Sequence, residues 1–430
     1  MNLALEQEEA VSADSFPKAS AANIERMLRN LNHFNSTPEF GTTRVLFTEP
    51  EVAAREYIKR EMKQLGLKIR EDAAGNIFGT YEGTEPVLAP VWTGSHIDTV
   101  LNAGMFDGMS GVVAGLEAVR LFEEAGLRPR RSVVVVVYTS EEPTRFGLGC
   151  LGSRALAGKL GAAEAKELKD KDGNSLYDVL KSLGFPVEHF DEVPVRRGDV
   201  KAAVELHIDQ TGELERAGKT LGVVKTICAP SVYDFKVTGR QSHAGGTSMA
   251  RRRDAFMASA EMALAAERLT KESLGKDDYA TATIGRVNVI PGAVNVIPGE
   301  ADFSLDVRDA SFEHKKELTQ KILAEFEEIA KKREVTLDSK MYNDDHPMPC
   351  QDDIQKKLVE AAEETGISYI KTISGAFHDS MLVGEFAPVG MLFVPSRDGI
   401  SHSPQEWTDF ADIAAGTDVL VRALFALADE

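Results

Sequence analysis

The sequence predicts an α/β protein in which a mainly parallel sheet, covered by helices on both faces, is interrupted by a smaller inserted α+β unit. Three observations carry this expectation. Helix-like and strand-like periodicities alternate through the first half of the chain. The strands there are continuous Val-rich runs of the kind buried on both faces. At 430 residues, the chain also exceeds the length at which one hydrophobic core keeps growing.

Apolar residues at helical spacing cover 51–65, and strand patterning follows over 68–81, broken at Gly75 by an Ala-Gly-Asn turn. A buried strand is expected over 87–94, a helix over 111–125 and a strand over 131–139. The longest apolar run, Val133–Tyr138, suits a buried strand and is far too short to span a bilayer. Further on, the pattern reads strand 231–239, helix 250–270, strands 280–290 and 295–306, helix 311–333 and strand 334–341. That is the split βαβ order of a ferredoxin-like domain. Helix 353–365 and strand 389–394 then resume the earlier alternation. The expected domains are therefore 1–228 with 344–430, and an insertion at 229–343. In parallel α/β sheets, chemistry gathers at the carboxyl ends of the strands.

Hydrophobic residues (43%) and charged residues (27%) fall near ordinary globular values, which excludes a disordered or fibrous chain. With 49 basic against 68 acidic residues the net charge is -19, so nucleic acid and anionic membrane are not expected partners. Arg251-Arg252-Arg253 is a local exception that suits a small anion. The stretch from Met1 to Ser20 carries Glu6, Glu8, Glu9 and Asp14 and no basic start before an apolar core, which predicts no secretory signal. Cys150, Cys228 and Cys350 are odd in number and widely spaced, as expected of reduced thiols in a cytoplasmic protein.

Five segments carry chemistry. His96 in Gly-Ser-His-Ile-Asp-Thr follows a strand, and Asp98 stands where it can accept the second imidazole N–H and fix the tautomer. Asp107 lies in a glycine-rich loop before a helix, where it can bind a cation or cap the helix. Glu141 and Glu142 stand side by side at the carboxyl end of the all-apolar strand. Either they are solvated, or one ligates a cation while its neighbour serves as general base. His207 ends a further apolar alternation and His402 follows the strand at 389–394. Singly, each histidine also reads as a hydrogen-bonded loop residue. Together, His96, Asp107, Glu142, His207 and His402 form a nitrogen and oxygen donor set suited to zinc, manganese, cobalt or nickel.

With these motifs in view, the chain resembles the M20 metallopeptidase-like superfamily and, within it, the hydantoinase/carbamoylase amidohydrolases. The resemblance runs from about Thr42 to Ala428. It rests on Gly-Ser-His-Ile-Asp-Thr-Val at 94–100, Phe-Asp-Gly at 106–108, Glu-Glu-Pro-Thr-Arg-Phe at 141–146, Glu-Leu-His-Ile-Asp-Gln at 205–210 and Gly-Ile-Ser-His-Ser-Pro at 399–404. It implies two divalent metal ions per subunit, held by His96, Asp107, Glu142, His207 and His402 with Asp107 bridging. Glu141 would be the general base and Asp98 would support the catalytic group.

The resemblance also implies that His243, in Ser-His-Ala-Gly, polarises the substrate carbonyl from the partner subunit of a homodimer. Gln210 would read the carbamoyl group, and Asn295 and Arg308 would clamp the substrate carboxylate. His378, in Phe-His-Asp-Ser, matches a family segment as a substrate-binding residue or as half of a structural His-Asp pair. The inserted domain would act as lid and dimer surface.

The implied activity is hydrolysis of the carbamoyl C–N bond of a small carboxylate substrate, with release of ammonia and carbon dioxide. An N-carbamoyl-L-amino acid, ureidoglycolate and allantoate all fit, as does an ordinary amide cleaved by an aminoacylase or dipeptidase. Pro143 and Thr211 stand where carbamoyl amino acid hydrolases usually carry glycine. The Glu-Glu-Pro-Thr-Arg-Phe-Gly run at 141–147, continuing to Cys-Leu-Gly-Ser-Arg at 150–154, looks more like ureidoglycolate amidohydrolases.

Overall fold

The computed structural model describes residues 16–275 and 279–430. The acidic stretch at 1–15, on which most of the no-signal expectation rests, lies outside them. Two compact units emerge: one from the flanking parts of the chain (up to Lys225, Cys350–Thr372 and His378–Glu430), the other from Thr226–Pro349 with Ile373–Phe377.

The first unit is built on a mixed sheet in which Lys68–Glu71, Ile77–Tyr81, Val133–Tyr138, Val91–His96, Ala202–Ile208, Val389–Val394 and Leu221–Ile227 lie in that order. The expected mainly parallel sheet is corrected here. The central pairings, Val133–Tyr138 with Val91–His96, the latter with Ala202–Ile208, and Ala202–Ile208 with Val389–Val394, are parallel. The pairs of Ile77–Tyr81 with Lys68–Glu71 and with Val133–Tyr138, and of Leu221–Ile227 with Val389–Val394, are antiparallel; the first two strands in the chain are joined directly by the short Asp72–Asn76 turn, stapled by the Asp72 carboxylate. Val-rich central strands are buried on both faces, packed by helices Ala21–Asn32, Met109–Ala125 and Phe410–Ala428.

Two local differences matter for the site. The strand expected over 87–94 runs instead from Val91 to His96, since Pro86 and Pro90 lack the N–H a ladder needs and Val87 is 92% exposed. His96 therefore ends the strand itself. The helix expected over 250–270 starts at Ala255, where the Asp254 side chain accepts the Met257 N–H.

The second unit holds an antiparallel sheet in the order Val287–Ile290, Glu300–Asp309, Ala229–Thr238, Thr336–Asp344, with Ala280–Thr283 also paired to Glu300–Asp309. Helices Ala255–Ser273 and Phe312–Arg333 supply apolar residues, Phe326 among them, that close its core over Phe235, Phe303 and Leu305. No helix among the described residues is long and apolar enough to cross a membrane.

Candidate metal centre and active site

The central strands deliver the chemistry to one edge. Val91–His96 ends on His96, Ala202–Ile208 carries His207 near its end, and the turn after Val133–Tyr138 presents Glu141 and Glu142. That turn is sharp. Ser140 has φ of 52°, a left-handed conformation costing about 1 kcal/mol or more for a non-glycine residue. It is braced by Cys150 and Leu151, whose N–H groups donate to the carbonyls of Glu141 and Ser140 at 2.9 and 3.0 Å. Asp107 comes from the loop that enters helix Met109–Ala125. Gly108 there has φ of 70°, and a Cβ on it would lie 2.3 Å from His96 Nε2, so the Phe-Asp-Gly motif requires its glycine twice over.

Asp107 is the meeting point. Its Oδ1 lies 3.6 Å from His96 Nε2 and 3.1 Å from His207 Nε2, and its Oδ2 lies 3.3 Å from His402 Nε2. His402 Nε2 is also 3.1 Å from Glu142 Oε1. Two groups able to hold a cation result, His96–Asp107–His207 and Asp107–Glu142–His402, sharing one carboxylate. A third, Glu205–His207–His378, shares His207. Its Glu205 oxygens already accept the hydroxyls of Ser95 and Ser380 at 2.7 and 2.6 Å, and the His378 ring packs 4.4 Å from that of His207. The structure thus sets His378 against His207 in the buried interior.

The donor set fits divalent cations. His96 Nδ1 faces the Asp98 carbonyl at 3.0 Å and His207 Nδ1 the Ile208 carbonyl at 3.1 Å. A carbonyl only accepts, so both Nδ1 atoms carry the proton and both Nε2 lone pairs turn to Asp107. The Gly108 N–H, 3.3 Å from His207 Nε2, requires the same tautomer. His96 Nε2 is buried without a hydrogen-bond partner. A lone pair held toward a carboxylate calls for positive charge between them. None of Asp98, Asp107, Glu141 and Glu142, all buried, has a Lys or Arg partner among the described residues.

The titration behaviour expresses the same demand. Asp107 sits well below the usual carboxylate range: burial works against ionisation, but the three imidazoles outweigh it. Burial lowers His96 and His207, yet Asp107 carries both above their ordinary value, His96 far above. Hydrogen bonds to Asp107 and Glu142 lift His402 to about 11. Protons and metal ions are alternative ways of supplying that charge. Glu141 behaves differently: burial, reinforced by Glu142, Asp379 and Asp107, pushes its carboxyl well above the usual range. A carboxyl so placed, with Oε2 3.8 Å from His96 Nε2, is suited to exchanging protons.

One contact departs from the sequence-based expectation. The Asp98 carboxylate stands 3.6 Å from His96 Nδ1, beyond hydrogen-bond reach, and the Asp98 carbonyl takes the imidazole proton instead. The carboxylate is turned to the backbone N–H groups of Glu141 and Glu142 at 3.2 and 3.1 Å, tying the two strand ends together. Gln210 Nε2 lies 2.8 Å from Asp107 Oδ2, and since a carboxylate only accepts, the amide N–H must face it. Gln210 Oε1 is then left buried as an acceptor without a partner. Glu406 also reaches the site, through the N–H groups of Phe106 and Asp107.

His243, Asn295 and Arg308 belong to the second unit. His243 is exposed, and its Nδ1 accepts the N–H of Gly245 and Gly246 at 3.1 and 3.0 Å, so a neutral ring carries its proton on the outward Nε2. Asn295, also exposed, accepts the Ala244 N–H on its carbonyl at 2.9 Å. Arg308 is held by Asp306 through Nε at 3.1 Å and Nη2 at 2.9 Å, with its guanidinium 5.5 Å from the Phe377 ring.

Comparison with known proteins agrees with this chemistry. Residues 92–426 match the model of peptidase family M20/M25/M40. Ureidoglycolate hydrolase of Arabidopsis thaliana is 38% identical over 97% of this chain and 89% of its own length. N-carbamoyl-L-amino acid amidohydrolase of Geobacillus stearothermophilus is 38% identical over 93% of this chain and 97% of its own length. The crystal structure of AtUAH in complex with glyoxylate superposes with a TM-score of 0.88 at 38% identity, over 97% of this chain and all of that one. An amidase of the hydantoinase/carbamoylase family from Burkholderia multivorans gives 0.87 at 31% identity, over 96% of this chain and 99% of that one. The chain belongs to peptidase family M20/M25/M40 and, within it, to the hydantoinase/carbamoylase amidohydrolases, which makes it a metal-dependent hydrolase.

Proposed function

We propose that this enzyme hydrolyses the carbamoyl C–N bond of ureidoglycolate, releasing ammonia and carbon dioxide. The observation that carries the reading is the arrangement around Asp107: one carboxylate facing donor groups on both oxygens, with an acceptor-only amide oxygen on Gln210 beside it. His96, Asp107 and His207 would hold one cation, and Asp107, Glu142 and His402 the other. Zinc, manganese, cobalt and nickel all suit these ligands. Bound cations supply Lewis acidity that makes water nucleophilic near neutral pH and offsets charge developing on the carbonyl oxygen.

Glu141 takes the proton from the attacking water and returns it to the leaving nitrogen, both within reach of a raised carboxyl pKa. Asp98 keeps Glu141 and Glu142 in register with His96. Gln210 Oε1 accepts an N–H of the terminal ureido nitrogen, a donor that an acyl group lacks. His243, protonated on Nε2, donates to the carbonyl oxygen from the partner subunit of a homodimer. Arg308 and Asn295 bind the substrate carboxylate, and His378 holds the His207 ring in place.

The second unit is the lid and dimer surface. Its βαββαβ order, with the first and third long strands central, supports a ferredoxin-like fold for it. Pro143 within the run at 141–147 and the run at 150–154 favour ureidoglycolate, as does the likeness to the Arabidopsis hydrolase. Ammonia release from ureidoglycolate, allantoate and N-carbamoyl amino acids, each with manganese, zinc or cobalt, tests the choice. A kcat/KM highest for one of the other two would replace ureidoglycolate as substrate. Faster cleavage of acetyl amino acids would point instead to an aminoacylase.

A further inference from the structure

We propose that Glu406 is a positioning residue that sets two parts of the site at once: the bridging carboxylate of Asp107 and the amide of Gln210. The inference rests on the reading that Asp107 bridges two cations.

Glu406 is buried in the loop after His402. Its Oε1 accepts the N–H of Phe106 at 2.9 Å and of Asp107 at 3.1 Å, gripping the backbone that presents Asp107. Its Oε2 lies 2.9 Å from Ser401 Oγ, one residue before His402. One carboxylate thus joins the loop of the shared ligand to the loop of a ligand 295 positions later. Room is made for it at position 104, where a Cβ would lie 2.3 Å from Glu406 Oε1; only glycine fits. No Lys or Arg pairs with Glu406 among the described residues. Among the described residues, the hydrogen bonds of its carboxylate run to 106, 107 and 401. A loop latch of purely structural purpose would have no reason to converge on those three.

Ser401 extends the effect. Its Oγ is 2.7 Å from Asp107 Oδ2, 2.9 Å from Glu406 Oε2 and 3.2 Å from Gln210 Nε2. A hydroxyl has one proton, and here it has two carboxylates to choose between. Asp107 Oδ2 already accepts from Gln210 Nε2 at 2.8 Å and faces His402. With a cation also on that oxygen, the Ser401 proton goes to Glu406, and the Ser401 oxygen is left to accept from Gln210. The relay Gln210 N–H to Ser401 O–H to Glu406 fixes the amide with its carbonyl oxygen toward the substrate.

The two legs separate experimentally. Wild type, Glu406→Ala, Glu406→Gln and Ser401→Ala are loaded with manganese and compared. The readouts are bound manganese per subunit, the EPR signature of an exchange-coupled pair, thermal unfolding of the metal-free protein, and KM and kcat on the carbamoyl substrate that wild type turns over. Glu406→Ala, which removes both legs, is expected to weaken one manganese at least tenfold and abolish the coupled signal.

Glu406→Gln keeps an acceptor for the Phe106 and Asp107 N–H groups but turns a donor on Ser401. It and Ser401→Ala are expected to keep the coupled pair and raise KM about tenfold with a smaller change in kcat. A coupled pair of wild-type affinity in Glu406→Ala would overturn the backbone leg. An unchanged KM in both other variants would overturn the relay. If Glu406→Ala does not fold, Glu406→Asp, whose shorter carboxylate is drawn back from the Phe106 and Asp107 N–H groups, takes its place: a weakened coupled pair supports the backbone leg, and a pair of wild-type affinity overturns it. Absence of a coupled pair in wild type would instead refute the two-cation reading beneath the proposal.

Discussion

Replacing Gln210 with leucine isolates the group that distinguishes a carbamoyl from an acyl substrate. Gln210 Oε1 is buried and unpartnered, while Nε2 is committed to Asp107 and Ser401. An acetyl substrate offers a methyl where a ureido group offers N–H, so the wild-type enzyme must leave that acceptor unpaired when it binds the acetyl compound. An unsatisfied buried acceptor costs about 1–3 kcal/mol. At about 1.4 kcal/mol per tenfold, this amounts to a preference of about 5- to 150-fold for the carbamoyl compound from this contact alone. Leucine removes the acceptor and with it the penalty. The assay is release of the common amine from matched carbamoyl and acetyl substrates, with metal content measured on the same samples. The carbamoyl-to-acetyl ratio of kcat/KM is expected to fall about 10- to 100-fold in Gln210→Leu at unchanged metal content. A ratio that stays within twofold of wild type would refute the assignment of Gln210 as the reader of the ureido nitrogen.

Three further outcomes follow from the same geometry. Glu141→Gln should retain both cations but lose about 10²- to 10⁴-fold in kcat, as expected when a general base is removed; near-normal turnover in the metal-loaded variant would contradict its role. Gly108→Ala places a methyl against His96 Nε2 and should weaken metal binding at least tenfold in isothermal titration, whereas wild-type affinity would mean that the Phe-Asp-Gly loop can shift freely. The third concerns pH. The folded-state pKa of His402 is raised to about 11, so in metal-free protein its stabilisation is complete below the ordinary value of 6.5 and is lost as pH climbs toward 11. Metal-free Tm should therefore decline across that window relative to the metal-loaded enzyme, where His402 is neutral throughout. Metal binding at pH 7 should release protons, and calorimetry in buffers of different ionisation enthalpy that shows none would contradict it.

Much of this was legible in the sequence, for identifiable reasons. Several of the candidate groups, His96, His207 and the Glu141–Glu142 pair, sit where strands end, and strand ends are marked by abrupt change from Val-rich runs to polar residues, as between Tyr138 and Glu141. The amphipathic helix Phe312–Arg333 declared itself by its apolar spacing. Helix Phe410–Ala428 did not, because it is buried over most of its length and its apolar residues run nearly all round. Mixed strand direction was also hidden: continuous apolar runs report burial on two faces, and they say nothing of how neighbours are oriented. The backbone contacts of Asp98 and Glu406 have no residue pattern of their own, since any N–H can serve as donor. An acidic residue four positions past His402 was the only trace of Glu406 in the sequence.

Crystals grown with manganese and measured on both sides of its absorption edge test the two-cation centre most directly. Two anomalous peaks about 3.5 to 4 Å apart are expected, one beside His96 and His207, the other beside Glu142 and His402, with a carboxylate oxygen of Asp107 on each. A fully loaded crystal with one peak, or with peaks away from Asp107, would contradict the account.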